Sequence, residues 1–239
     1  MKKSCKAVLV VSAVLILIGM PVAVKANTIV LTQNSNYSYG DGGEFTAVTT
    51  GQSFLGNGYA VSTLVNGGFQ TFCVQNLVDF NPGVTYNYTT GNATGSNGTE
   101  GGISLSEGAA YLYYEFATGN LSGYNYTPGS GRVTTAGQLQ AAIWYFMGEG
   151  LAPGFTTSDQ FITLADNNLA DPFAANGSLY GVEILQLTTP GSNPSIANQN
   201  QLVLMPVTDG GMTAAMLGMG LVGMFLIQFP HRKPAFSRI

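Results

Sequence analysis

The chain holds two cysteines, Cys5 and Cys73, one tryptophan, Trp144, and one histidine, His231. Cys5 falls in an apolar leader, so an exported, processed protein would keep Cys73 alone. A single cysteine in an oxidising compartment has three open readings. It is a buried small apolar residue, a partner in an intermolecular pair, or a thiol engaged with something other than sulfur. Two short segments bear on this choice. Phe72-Cys73-Val74 lies in an aromatic and β-branched run, and Leu139-Gln140-Ala141-Ala142-Ile143-Trp144 lies in a helical period. Gln140 and Trp144 stand four apart and share a helix face. Leu139 and Ile143, also four apart, form an adjacent apolar stripe suited to docking on a sheet. Other reaction centres are thin. His231 lies in the tail, which rules out a Ser-His-Asp triad in the preceding domain. One cysteine without a histidine makes no zinc set, so neither metal nor cofactor is expected. No pair of carboxylates is singled out for glycoside hydrolysis.

The elements that must position these residues read as strands around a helical insert. Thr28–Thr32, Phe45–Thr50, Tyr59–Val65, Gln70–Gln75, Thr85–Thr89, Tyr180–Thr188 and Gln201–Val207 are β-branched or aromatic runs bounded by turn residues. Asp41-Gly42-Gly43 and Asn81-Pro82-Gly83 read as turns. Ser106 predicts a helix cap, with Ala109, Leu112, Tyr113 and Phe116 on one face and Gly119 as the stop. Thr135 predicts the cap of a second helix, running to Met147. Ser158 predicts the cap of a third, with Phe161, Ile162, Ala165 and Leu169 following. Thr90–Gly102 and Leu121–Gly131 read as loops, and Thr188–Gln199 as a linker. The expected fold is mainly β, a sandwich or barrel, with a small helical insert (α+β). The second helix is expected to lie beside the Gln70–Gln75 strand.

The two segments resemble the paired signatures of bacterial internal-thioester domains, in which an aromatic-Cys-apolar strand faces an apolar-Gln-x-x-apolar-Trp helix. The resemblance implies that Cys73 is the thiol and Gln140 the acyl donor of a Cys–Gln thioester, formed with loss of ammonia. It implies that Phe72 and Trp144 pack over the bond, with Tyr111, Tyr114 or Tyr145 as further shields against water. It implies a surface adhesin that captures an amine or other nucleophile on a protein or glycan once per molecule, and so not an enzyme. A non-covalent structural or glycan-binding matrix protein with a buried Cys73 is the alternative from another class.

The ends place the domain. Lys2, Lys3 and Lys6 precede the apolar run Ala7–Met20, and Val24-Lys25-Ala26 supplies the small residues of a cleavage site, so residues 1–26 read as a secretory signal peptide. Residues 27–206 form the expected extracellular domain. Met212–Phe229 is an uncharged run of 18 residues followed by His231, Arg232, Lys233 and Arg238, as expected of a membrane helix with a cytoplasmic basic tail. Residues 207–239 resemble a VPDSG-CTERM sorting signal, a relative of PEP-CTERM signals, through Val207, Asp209, Gly210 and Gly211. Thr208 and Gly210 replace the proline and serine of that motif. The resemblance implies recognition by an exosortase-type membrane enzyme. The expected location is therefore the cell envelope or surface, membrane-anchored at least transiently. Between the two ends the chain carries one basic residue, Arg132, and eleven acids. Nucleic acid is excluded as a partner, because phosphate binding needs clustered Lys and Arg. The absence of lysine there would keep a thioester from being consumed by its own domain, although acidic envelope proteins are also often poor in lysine.

Overall fold

The computed structural model describes residues 27–205, apart from 41, 52–53, 55–58, 60–67, 96–101, 178 and 193–195. The expected leader, sorting signal and 212–229 span lie outside the described residues, as does all of the Tyr59–Val65 strand except Tyr59. Among the described residues no helix is long and apolar enough to cross a membrane.

Among the described residues six strands form one antiparallel sheet: β1 (Thr28–Gln33), β2 (Phe45–Thr50), β3 (Phe69–Thr71), β4 (Thr85–Gly91), β5 (Val182–Thr188) and β6 (Gln201–Leu204). Their spatial order is β3-β2-β1-β4-β5-β6. Side chains alternate between the two faces of a strand, so Ile29 and Leu31 of β1 face the same way as Phe45 and Ala47 of β2 and Tyr86 and Tyr88 of β4, all buried. Among the described residues three α-helices pack with the sheet: α1 (Glu107–Ala117), α2 (Ser130–Phe146) and α3 (Gln160–Asn168). The expected mainly β fold with a helical part is what the described residues form.

The boundaries follow local chemistry. The Ser106 hydroxyl accepts from the Ala109 N–H at 3.2 Å and caps α1. Gly119 stops it at φ +78°, a conformation that costs glycine little. The other two caps differ from expectation. α2 begins at Ser130, with Gly129 and not Thr135 at its cap, and the Thr135 hydroxyl bonds back to the Gly131 carbonyl at 3.2 Å. The helix therefore consumes the end of the expected Leu121–Gly131 loop. α3 is preceded by Asp159, one residue after Ser158. Tyr180 belongs to a short 3-10 turn at φ +60°, so β5 starts at Val182.

The expected Gln70–Gln75 strand is shorter, and its departure makes the site. β3 pairs with β2 only as far as Thr71 opposite Phe45. Beyond it the chain leaves β2 and bonds to β6 at the other edge of the sheet. The Leu202 N–H donates to the Phe72 carbonyl (3.1 Å), and the Val74 N–H donates to the Asn200 carbonyl (3.0 Å). Cys73 lies directly opposite Gln201 in this bridge. The two edges of the sheet thus meet at a seam centred on Cys73.

Candidate functional site at the seam

In an antiparallel pair, neighbouring residues send their N–H and C=O groups to opposite sides. Phe72 and Val74 send theirs to β6, so Cys73 sends its own toward β2. Continuing the β2–β3 register, with Phe45 opposite Thr71 and Thr46 opposite Gln70, would set Gly43 opposite Cys73. The side chain of Gln140 occupies that place. Its Oε1 accepts from the Gly43 N–H at 2.9 Å and from the Cys73 N–H at 3.0 Å. Its Nε2 donates to the Cys73 carbonyl at 2.7 Å. Two strands splay apart, and the carboxamide from α2 fills the gap as a substitute strand.

This geometry has a chemical consequence. Two converging backbone N–H groups on one carbonyl oxygen form an oxyanion hole, which stabilises negative charge when a nucleophile adds to the carbon. The available nucleophile is Cys73, whose backbone supplies one of the two donors. Cys73 is fully buried, and Gln140 is 1% exposed. Because Cys73 and Gln201 form a pair that does not exchange backbone bonds, their side chains approach closely, and Gln201 Nε2 lies 3.4 Å from Sγ. Burial pushes the thiol up to about 12; Gln201 opposes the rise, and Asp79 adds to it. The thiol is therefore held neutral, in an environment without an adjacent cation.

The remaining expected residues divide. Phe72 is buried and packs edge-on against Phe116 of α1, with ring centroids 5.0 Å apart, which fixes the chain on one side of Cys73. Trp144 is partly buried on the Gln140 face of α2, as the spacing of four requires. Tyr111, Tyr114 and Tyr145 do not reach the site. The first two pack against Tyr180, and Tyr145 packs against Phe146 and Phe173. Their place is taken by Tyr39 and Phe155, which sequence reading passed over. These two rings meet edge to face at 5.8 Å.

Gly42 and Gly43 are more than a turn. A Cβ on Gly43 would lie 2.5 Å from a Phe72 ring carbon and 3.0 Å from Gln140 Oε1. A Cβ on Gly42 would lie 2.9 Å from Gln140 Cγ and 3.3 Å from Trp144 Cη2. Neither position has room for a side chain. The next residue, Glu44, is a buried acid that pairs with Arg132 in the first turns of α2. Arg132 Nε donates to it at 2.9 Å, and Arg132 Nη2 and the Tyr124 hydroxyl complete the grip. Arg132 also donates to the Tyr126 carbonyl at 2.7 Å and lies 4.2 Å over the Tyr37 ring. Burial raises the Glu44 carboxyl, and Arg132 opposes that rise. The lone basic residue of the domain thus ties the loop that carries Gly43 to the helix that carries Gln140.

Among the described residues no group of His, Cys, Asp or Glu is placed to hold a metal ion. The expected sorting residues Val207, Asp209, Gly210 and Gly211 lie outside the described residues. Compared with known protein families, curated proteins and solved structures, the chain matches none.

Proposed function

We propose that Cys73 and Gln140 form an internal thioester, and that the protein is an exported surface adhesin that captures a nucleophile covalently through it. The observation that carries this reading is the Gln140 carbonyl oxygen held between the N–H groups of Gly43 and Cys73. Sγ of Cys73 adds to Cδ of Gln140, and the oxygen takes up negative charge facing two donors. Collapse breaks the Cδ–Nε2 bond; the thiol proton goes to that nitrogen, and ammonia leaves. Positioning replaces thiolate activation here, since burial keeps the thiol protonated and both partners are fixed in advance. In capture, an amine attacks the same carbon, the C–S bond breaks, an amide forms, and the amine proton returns to sulfur. Gln201 Nε2 faces the charge that develops on the leaving sulfur. The molecule reacts once and is not an enzyme. Residues 1–26 export it, the 212–229 helix anchors it at the envelope, and an exosortase-type enzyme processes the tail.

A second reading has its own support. Gln140 bonds both the N–H and the carbonyl of Cys73, as a purely structural tie across the splayed strands would. A cavity of about 380 Å³ lined by Gln33, Asp79, Asn81 and Gln199 together with Phe45, Phe80 and Pro82 would then suit a non-covalent glycan-binding matrix protein.

Methylamine separates the two. Under the thioester reading it adds to the Gln140 peptide and releases one titratable thiol at Cys73 in equal amounts. Cys73→Ser and Gln140→Ala each abolish both signals in a protein that still folds. Wild-type protein that takes up no methylamine and presents Cys73 as a free thiol on denaturation would decide for the structural tie.

A further inference from the structure

The cavity of about 380 Å³ lies where the end of β1 and the start of β2 meet the 79–83 loop and Gln199. That loop is tied down at several points. Asn81-Pro82-Gly83-Val84 closes as a turn, with the Val84 N–H on the Asn81 carbonyl at 3.3 Å and Gly83 at φ +82°, the arrangement a Pro-Gly pair favours. The Gly83 N–H donates to the Leu31 carbonyl at 2.7 Å, and the Asn81 N–H to the Tyr86 hydroxyl at 2.8 Å. The Gln199 N–H donates to the Asp79 carbonyl at 3.2 Å. Phe80 packs edge-on against Phe45 and Tyr86, with centroids at 4.8 and 6.4 Å. β1, β4 and the chain before β6 thus hold the loop, and the cavity is formed in advance of any ligand.

Its polar side chains are set out as acceptors. Gln199 is 5% exposed, and its Nε2 is committed to the Gln75 carbonyl at 2.7 Å, which leaves Oε1 to the cavity. Gln33 Nε2 is likewise committed, to the Gly40 carbonyl at 3.1 Å, and leaves its Oε1. The exposed Asp79 adds a carboxylate, and the exposed Asn81 a carboxamide that both donates and accepts. Phe45 and Phe80 give the same space an apolar wall.

We infer that this cavity binds one neutral hexose residue of a glycan. The inference rests on the glycan-binding reading above and not on the thioester. A hexose carries adjacent hydroxyls that can donate together to one carboxylate, further hydroxyls for the glutamine and asparagine amides, and a ring face of C–H groups for the Phe80 side. The cavity holds about twelve water-sized groups, by the ~30 Å³ each occupies in the liquid. A hexose, with about twelve bonded non-hydrogen atoms, therefore fits with room for bridging waters. An acidic sugar would face Asp79. Arg132 is the one basic residue between residues 27 and 206 and is held by Glu44, so nothing in the domain would offset that repulsion. A calcium ion would need about six to eight oxygens close around it and would leave the aromatic wall unused.

The test is saturation-transfer NMR of the purified protein in EDTA, with the methyl glycosides of glucose, galactose and mannose, with glucuronate, and with a neutral tetrasaccharide. At least one methyl hexoside should bind with a dissociation constant on the order of a millimolar, the range expected for a ligand of that size. Its ring C–H protons should receive the strongest transfer, and glucuronate should give none. Asp79→Asn should weaken binding by at least about tenfold, the loss expected for hydrogen bonds to a charged group. The unfolding midpoint and the mass of the protein should not change in that variant. Phe80→Leu, which keeps an apolar side chain against Phe45, should weaken binding as well. Binding of the tetrasaccharide without any methyl hexoside, or of a hexoside equally well in Asp79→Asn, would overturn this inference and leave the glycan-binding reading standing. Sugar binding that appears only when calcium is added would make the cavity a cation site and overturn it too. No binding by any sugar would overturn both, whatever the mass at Cys73 and Gln140.

Discussion

Two attachments hold the loop before β2 to α2, and they differ in kind. One is charged: Glu44 with Arg132, both side chains almost fully buried. The other is neutral: Gly43 with Gln140, eight residues further along the helix. In the first, the carboxylate receives Arg132 and Tyr124, and the guanidinium reaches Tyr126 and Tyr37 as well. Strong partners surround both charges, and a guanidinium does not give up its proton. In the second, a carboxamide is bound by the backbone of Cys73, with its oxygen already polarised by two donors. The contrast teaches a division of labour. On the thioester reading, the ion pair fixes the distance between loop and helix, and the neutral contact is set for chemistry instead of strength.

Breaking the charged attachment should have the largest effect. Arg132→Met leaves Glu44 buried without its counter-charge, which costs about 3–5 kcal/mol of stability. Urea unfolding should move accordingly, and the fraction of molecules carrying the thioester should fall with it. Arg132→Lys should recover part of the stability, because it restores the charge but not the two-pronged geometry. A stability unchanged in Arg132→Met would mean that the ion pair is not the anchor.

Intruding on the neutral attachment comes next. Gly43→Ala drives a methyl group into Phe72 and toward Gln140 Oε1. Overpacking of this kind costs about 1–3 kcal/mol. Misplacing one oxyanion donor should slow thioester formation by about a hundredfold, as read by mass against time after refolding. Formation at the wild-type rate would show that Gly43 supplies no catalytic donor.

The smallest effect sharpens the comparison by pH. On the thioester reading, methylamine-opened protein carries a buried free thiol, whereas intact protein has none to titrate. A folded-state value raised to about 12 means that the fold prefers the neutral thiol. That contribution is complete below the ordinary thiol range near pH 8.5 and is lost as pH climbs from there through the folded value. The stability of opened relative to intact protein should therefore fall above about pH 8.5, by at most ~1.4 kcal/mol per pH unit. Parallel unfolding midpoints for the two forms from pH 8 to 10.5 would contradict a buried thiol.

The helix half of the site was legible because a spacing of four fixes a shared face whatever surrounds it. Gln140, Trp144, Leu139 and Ile143 follow from that rule alone. The strand half was legible only as a cysteine in an apolar run. What makes Cys73 special is the crossing from β2 to β6, and crossing is a property of pairing partners far away in sequence. Gln201 gave no signal for the same reason: it is one polar residue in a final strand, and its role comes from lying opposite Cys73. Gly42-Gly43 carried a signal that local chemistry misdirects, since a Gly-Gly pair suits a turn as well as a close approach. The start of α2 was hidden by Gly129 and Gly131, which disfavour a helix locally. Arg132, held by Glu44, Tyr126 and Tyr37, supplies the tertiary tie that offsets them. The mainly β fold with its helices was readable because the strands stand out as β-branched or aromatic runs between turn residues, but the order of the strands was not. β6, expected as Gln201–Val207, runs Gln201–Leu204 and is buried along its whole length.

Accurate mass of the freshly purified, folded protein, paired with thiol titration after denaturation, tests the central claim most directly. The account predicts a mass lower than that of the sequence by one ammonia, mapped to a linked peptide pair containing Cys73 and Gln140, and no thiol at Cys73 until an amine is added. A folded protein with its full sequence mass and one thiol titrating at Cys73 would contradict it, and Gln140 would then be a structural tie across two splayed strands.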